Sequence, residues 1–278
     1  MGLELLQGVR AKLIRAEAHS RSFSEAIRDY EAGNPYSVVR RFEEHIPEKT
    51  DRPGLTWRAH VHPAPPIQLS VIAGDCIHNL RSALDHLPWA LVLNNGGEPK
   101  EIGNPKTQFP ILGAPPRNAL TIYAASGGPG TAAEPILDML QPYSEESDPE
   151  LRAEHPLLVL GRLSNTDKHR ILNVVACDFG AMVVDRSDGA TVRATRREVA
   201  SGTMIFWVLS ESPDYRADMM ATVAFNPSIV FRDTRGLGGE KFVPADKLLA
   251  TLVQFTLDHV VQRFAIACFG GQLEFPPT

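Results

Sequence analysis

The stretch from Ile72 to Leu91 separates its apolar and polar side chains almost completely. On a helix turning about 100° per residue, with His78 at zero, Ile72, Ala73, Cys76, Ile77, Leu80, Ala83, Leu84, Leu87 and Leu91 fall between roughly 120° and 260°. Asp75, His78, Asn79, Arg81, Ser82, Asp85 and His86 fall between about −60° and 100°. Such a helix must bury one side against other elements, so the chain has to build a core around it.

The polar side is unusual in kind. Solvated helix faces are commonly filled with Glu and Lys, which form helix well and stay in water. This face has neither and carries two His, two Asp, one Arg, one Ser and one Asn. Short polar side chains with several donors and acceptors suit a network or a cleft. Histidine is also the side chain best placed to move protons near neutral pH. Read structurally, the same face is an internal network that fixes how helices dock, with Asp85 pairing to His78 or Arg81.

The rest of the pattern places this helix in an α+β fold. Residues 3–31 read as a helix stopped by Gly33-Asn34-Pro35. A short helix is expected over Tyr36–His45 and a strand over Leu55–Val61. The long helix runs from about Ile67 to Leu93, with Pro88 inside it as a kink point near His86. Residues 94–130 read as a long connection with one strand at Gln108–Leu112. Helices follow at Ala132–Leu140 and Leu151–Thr166, separated by an acidic turn at Ser144–Glu150.

From Arg170 the period changes to strands: 170–177, 181–186, 191–197, 203–209 and 222–231. A final helix, 245–269, is apolar almost all round and should be central. The expected architecture is a bundle of about four main helices, from 1–166 and 245–269. An antiparallel sheet of about five strands, 170–232, is inserted before the last helix. The bundle uses both ends of the chain, so 1–278 reads as a single domain.

The chain of 278 residues is 43% hydrophobic and 22% charged, ordinary values for a globular protein. Its formal net charge of −5 argues against a basic coat for nucleic acid. The acidity is uneven. Residues 61–150 hold 4 basic and 10 acidic side chains, while 151–200 hold 8 and 6. Any anionic ligand of the long helix must therefore draw its binding charge from 151–200 or from the arginines of the first helix. Cys76, Cys177 and Cys268 lie in apolar surroundings with no C-x-x-C spacing, and read as reduced thiols. With no apolar run near the ~20 residues needed to cross a bilayer and no signal-like start, a cytoplasmic protein without a membrane partner is expected.

Arg81-Ser82-Ala83-Leu84-Asp85-His86 has the form R-x4-H. In a helical bundle this resembles the HEPN superfamily, whose ribonuclease members carry R-x(4–6)-H. The segment 78–86, HNLRSALDH, with Asp167-Lys168-His169-Arg170 downstream, also resembles a family of uncharacterised bacterial proteins of similar length, which implies no function. The HEPN resemblance implies RNA cleavage by phosphodiester transesterification without a metal or other cofactor, usually in a homodimer with the motifs facing each other. Carried over, Arg81 would hold the scissile phosphate and His86 would act as general acid or base, with His78 and Asp85 beside them. RNA or a nucleotide is then the expected partner. Asn79, Ser82, Lys168, His169 and Arg170 are the candidate substrate-binding residues. The position after the Arg is commonly Asn, Asp or His in that superfamily, and here it is Ser82.

Two other readings start from the same residues. A non-catalytic protein would use the polar face for docking or dimerisation. A helical-bundle metal-dependent hydrolase would gather His78, Asp85, His86 and His169, with Asp167 near them, around a metal ion. No H-E-x-x-H spacing accompanies them.

Overall fold

The computed structural model describes residues 2–46, 51–99, 108–117, 120–128, 130–145, 147–172, 174–178, 197–209, 227–232 and 242–275. The fold is α+β, with helices and two small antiparallel sheets. The chain divides into two compact units, one of residues 1–25, 70–172 and 233–278, the other of 26–69 and 173–232.

The helices follow the apolar periodicity closely. A 3-10 turn at Leu3–Leu6 leads into α1, Gln7–Ala32. Asn34 takes a left-handed φ of 50° just beyond its end, a conformation Asn tolerates, and Pro35 cannot continue a helix. α2 spans Ile67–Asn94 with Pro88 inside it. Short helices follow: α3 at Leu120–Ala125, α4 at Ala133–Met139, α5 at Pro142–Glu145 and α6 at Pro149–Arg152.

The next long helix, α7, runs Pro156–His169. It starts later than the apolar run suggests because Pro156 takes the first helical position and His155 caps it. The acidic stretch 144–150 is not one turn: α5 ends in it and α6 begins in it. The last helix is continuous but mixed, with α8 at Ala245–Gln254, a π segment at Phe255–Val261, and α9 at Gln262–Phe269 ending on left-handed Gly270.

In the helical unit, Leu6, Val9, Leu13, Ile77, Leu80, Leu84, Leu87, Leu160, Leu249 and Phe264 are buried. The Cys76 thiol donates to the Ala16 carbonyl at 3.3 Å, tying α2 to α1. Asn94 donates to the Cys268 carbonyl, tying the end of α2 to α9. Among the described residues no helix is long and apolar enough to cross a membrane.

The sheets depart from the expected single sheet of about five strands. Tyr36–Glu43 is strand β1, not a helix, and pairs antiparallel with β2, Gly54–Val61. The spacing of Val38, Val39 and Phe42 fits one helical turn, but β-branched and aromatic residues also suit a pleated strand, and pairing with β2 decides the outcome. β3 is Val174–Asp178, β4 Arg197–Val199, β5 Met204–Leu209 and β6 Pro227–Phe231. β5 pairs with β2, giving the order β1-β2-β5, while β4-β3-β6 is a separate sheet. Pro227 is the first residue of its strand, where its missing donor costs least. The strand expected at 181–186 lies outside the described residues, as does most of the one at 191–197. Residues 108–112 form no strand.

Candidate functional site

The polar side of α2 splits into three parts, each facing a different neighbour. The first faces residues 108–112. Arg81 Nη2 lies 2.7 Å from Asp85 Oδ1 and donates to the Phe109 carbonyl at 2.9 Å. The Phe109 N–H donates in turn to Asp85 Oδ1 at 3.1 Å. One turn of helix thus satisfies both backbone polar groups of Phe109, which is why that residue needs no strand partner. Three residues on, the Leu112 N–H donates to buried Gln141 Oε1 at 3.0 Å, and Gln141 Nε2 donates to the Leu137 carbonyl. The segment 109–112 is pinned at both ends.

That pinned segment forms one wall of a groove of about 530 Å³, within the range of small-ligand sites. α7 forms the opposite wall, with Leu158, Gly161, Arg162, Asn165 and Lys168 on one helical stripe. Arg81 closes the site from α2. Among the described residues the lining holds three cations, Arg81, Arg162 and Lys168, and no carboxylate. Ile111, Leu112 and Leu158 make the rest apolar.

Burial sets the electrostatics behind Arg81. Desolvation pushes the Asp85 carboxyl above its ordinary range. Arg81, the Phe109 N–H and Lys168 pull it back without cancelling the shift. Asp85 therefore sits as a partly desolvated counter-ion behind Arg81 and outside the groove lining.

The second part of the face meets the end of α7. A Cβ on Gly74 would collide with the Asp167 carboxylate, so the glycine makes room for it. Burial raises the Asp167 carboxyl, nearby Asp75 raises it further, and His78 opposes both. The third part meets α1. The His86 ring lies against Gly8, where a Cβ would fall 2.5 Å from His86 Nδ1.

The candidate residues are therefore distributed. Arg81 and Lys168 line the groove and Asp85 stands behind Arg81. His86 is exposed beside α1 and does not line it. His78 is exposed near Asp167. Asn79 donates to the Asp75 carbonyl one turn back, and Ser82 is half-buried. His169 is the exposed last residue of α7, and Arg170 caps that helix, its N–H bonded to the Thr166 carbonyl. Among the described residues no three His, Cys, Asp or Glu side chains come together to hold a metal ion, and His78, Asp85, His86 and His169 stay apart.

Four polar groove residues escaped the sequence reading: Arg162, Asn165, Gln108 and Ser164. A signal existed for the first two. Residues 158, 161, 162, 165 and 168 follow helical spacing, and Arg162 interrupts an otherwise apolar run. Comparison with protein-family models, curated proteins and solved structures finds no match to this chain.

Proposed function

We propose that the protein is a nucleotide-handling module that holds a phosphate-bearing ligand in the groove between α7 and residues 108–112. The observation that carries this reading is the convergence of Arg81, Arg162 and Lys168 on a groove whose lining, among the described residues, holds no carboxylate, in a chain of net charge −5. Guanidinium groups suit phosphate oxygens, which they bind through paired N–H donors. The apolar wall of Ile111, Leu112 and Leu158 suits the less polar body of a nucleotide. Two of the three cations come from α7, in the mildly basic stretch of the sequence, so the acidic surroundings of α2 do not work against the site.

Titration calorimetry with AMP, inorganic phosphate and a short oligoribonucleotide tests this. Binding should weaken about tenfold in Arg162→Ala and in Lys168→Ala, the loss of one charge-assisted hydrogen bond each. It should also fall with added salt. Failure of all three ligands to bind at millimolar concentration would remove the proposal.

The catalytic form of this reading is the HEPN-like ribonuclease, with a phosphodiester at Arg81 and His86 moving the proton. It requires His86 to reach that phosphate, whereas the ring lies against Gly8 on α1. Its test is cleavage of an RNA panel, and equal cleavage by wild type, Arg81→Ala and His86→Ala would exclude it.

A second reading draws on the Phe109 contacts: Arg81 and Asp85 serve to hold the connection in place, without a ligand. Arg81→Ala separates the two. Loss of stability with ligand binding intact favours the structural role.

A further inference from the structure

His60-Val61-His62 stands at the end of β2 and carries two imidazoles that neither the groove nor the core uses. Side chains two apart along extended chain point to the same face, so both rings leave the sheet together. Both residues are exposed, and their ring centres stand 6.0 Å apart with the planes tilted by 33°. Metal–imidazole bonds of about 2.0–2.1 Å set two rings on one tetrahedral ion with centres roughly 5 Å apart. The pair is therefore close to chelating distance, and rotation about the exposed side-chain torsions closes the difference.

The backbone beneath the pair is fixed from several sides. The Ser201 hydroxyl accepts the Val61 N–H and donates to the Val61 carbonyl, each at 2.8 Å. One side chain thus holds both polar groups of the residue between the two histidines. Ala59 is held in a similar way, its N–H donating to the Thr203 carbonyl and its carbonyl accepting the Gly202 N–H. The His62 N–H donates to the Pro35 carbonyl at 2.8 Å, and the Tyr30 hydroxyl donates to the Pro63 carbonyl at 2.9 Å. All of these partners belong to the same compact unit as the histidines. Two rings on a backbone pinned in this way lose little further freedom when one ion joins them.

Charge on that face does not oppose a cation. Arg58 lies two residues before His60 on the same face. Its guanidinium is engaged by Glu43, through Nε at 2.7 Å and Nη2 at 2.9 Å, and donates to the Gly202 carbonyl through Nη1. Arg41 stands opposite Thr56, four residues back along β2 and so about 13 Å from His60. The residue directly opposite His60 is the neutral Ser37.

We propose that His60 and His62 form a chelating site for a late first-row divalent cation: copper, nickel or zinc. These ions favour imidazole nitrogen, whereas magnesium and calcium favour oxygen. Two protein ligands are fewer than the four of a closed structural site, so solvent fills the remaining positions and the ion exchanges readily. The site lies in a different compact unit from the groove, so binding of phosphate or a nucleotide neither supports nor removes it.

Metal titration of the full chain, purified without a histidine tag, stripped with chelator and desalted, tests it. Calorimetry should show one equivalent of copper bound, with nickel and zinc weaker, the order that imidazole sites follow. His60→Ala and His62→Ala should each weaken copper binding at least tenfold, because a single imidazole closes no chelate. His45→Ala, at an exposed histidine beyond the other end of the β1–β2 pair, should leave it unchanged. Both members of the site are exposed, so the metal-free variants should melt with wild type. Added nickel should then raise the melting temperature of wild type and not of His60→Ala/His62→Ala. The proposal is overturned if none of the three ions binds stoichiometrically at about 100 µM, or if wild type and the double variant hold copper equally well.

Discussion

Arg81 and Asp85 stand one turn apart on α2 and hold the two backbone polar groups of Phe109 between them, the carbonyl through Arg81 and the N–H through Asp85. The pair is an i, i+4 ion pair at 2.7 Å, with side chains 16% and 31% exposed. Its effect is positional. It turns part of a long connection into a fixed wall of the groove, and it aims one guanidinium at that groove.

Asp85→Ala and Asp85→Asn should part company. Alanine leaves the buried Phe109 N–H without its acceptor, at a cost of about 1–3 kcal/mol. Asparagine keeps an oxygen at that position, so its urea midpoint should stay close to wild type. If both variants fall equally, the Phe109 contact does not carry the effect.

The pH dependence follows from the raised carboxyl of Asp85. Just above the ordinary carboxylate range the folded protein keeps a proton that the unfolded chain has released. Wild type therefore loses stability as pH rises through that window, and the loss is complete above the folded value. Asp85→Asn cannot titrate. The stability of Asp85→Asn relative to wild type should rise as the pH is taken up out of the ordinary carboxylate range, measured by urea melts at each pH. A constant or falling difference contradicts the assignment.

Removing the Asp85 charge should also raise affinity in the groove. With its counter-ion gone, Arg81 has more of its charge free for a ligand anion. Asp85→Asn should bind inorganic phosphate several-fold more tightly than wild type by calorimetry, and Asp85→Asn/Arg81→Ala should lose the gain.

Gly74→Ala should destabilise the wild type, because the new methyl displaces the Asp167 carboxylate. In an Asp167→Ala background the obstacle is absent, and the helical preference of alanine over glycine should stabilise by about 0.5–1 kcal/mol. A double-mutant cycle from thermal melts reads the coupling, and additive effects would show that the two positions do not meet.

His155 caps α7 through Nδ1, which accepts the Leu157 N–H at 3.2 Å. Its ring also sets its edge against Phe255. His155→Ala should cost about 0.5–2 kcal/mol and His155→Asn less, since Asn is a good N-cap. Equal losses would assign the effect to the Phe255 contact instead.

The helices were readable from sequence because apolar period alone decides them. α1, α2 and the last helix fall within a few residues of the expected bounds. Tyr36–Glu43 was not readable. Val38, Val39 and Phe42 fit both periods, and only the distant strand β2 breaks the tie. The same holds at 108–112, where the partner of the backbone is a pair of side chains and no strand. Of the candidate site, Arg81, Asp85 and Lys168 could be found because the α2 face is compositionally odd and 167–170 is densely charged. Arg162 was lost in an apolar run, since its role depends on which side of α7 faces residues 109–112. The R-x4-H spacing names two residues on one helix, but one helix turns them toward different neighbours.

The contact between Gly8 and the His86 ring has an evolutionary consequence. A methyl group at position 8 would fall 2.5 Å from Nδ1 of the His86 ring as it lies here, so the ring would have to turn away. In descendants of this chain a larger residue at 8 goes with a shorter one at 86 or with a ring turned away from α1. Persistence of that histidine is then explained by packing wherever glycine persists with it, and selection for chemistry at 86 becomes visible only in lineages where position 8 has drifted and the histidine has stayed.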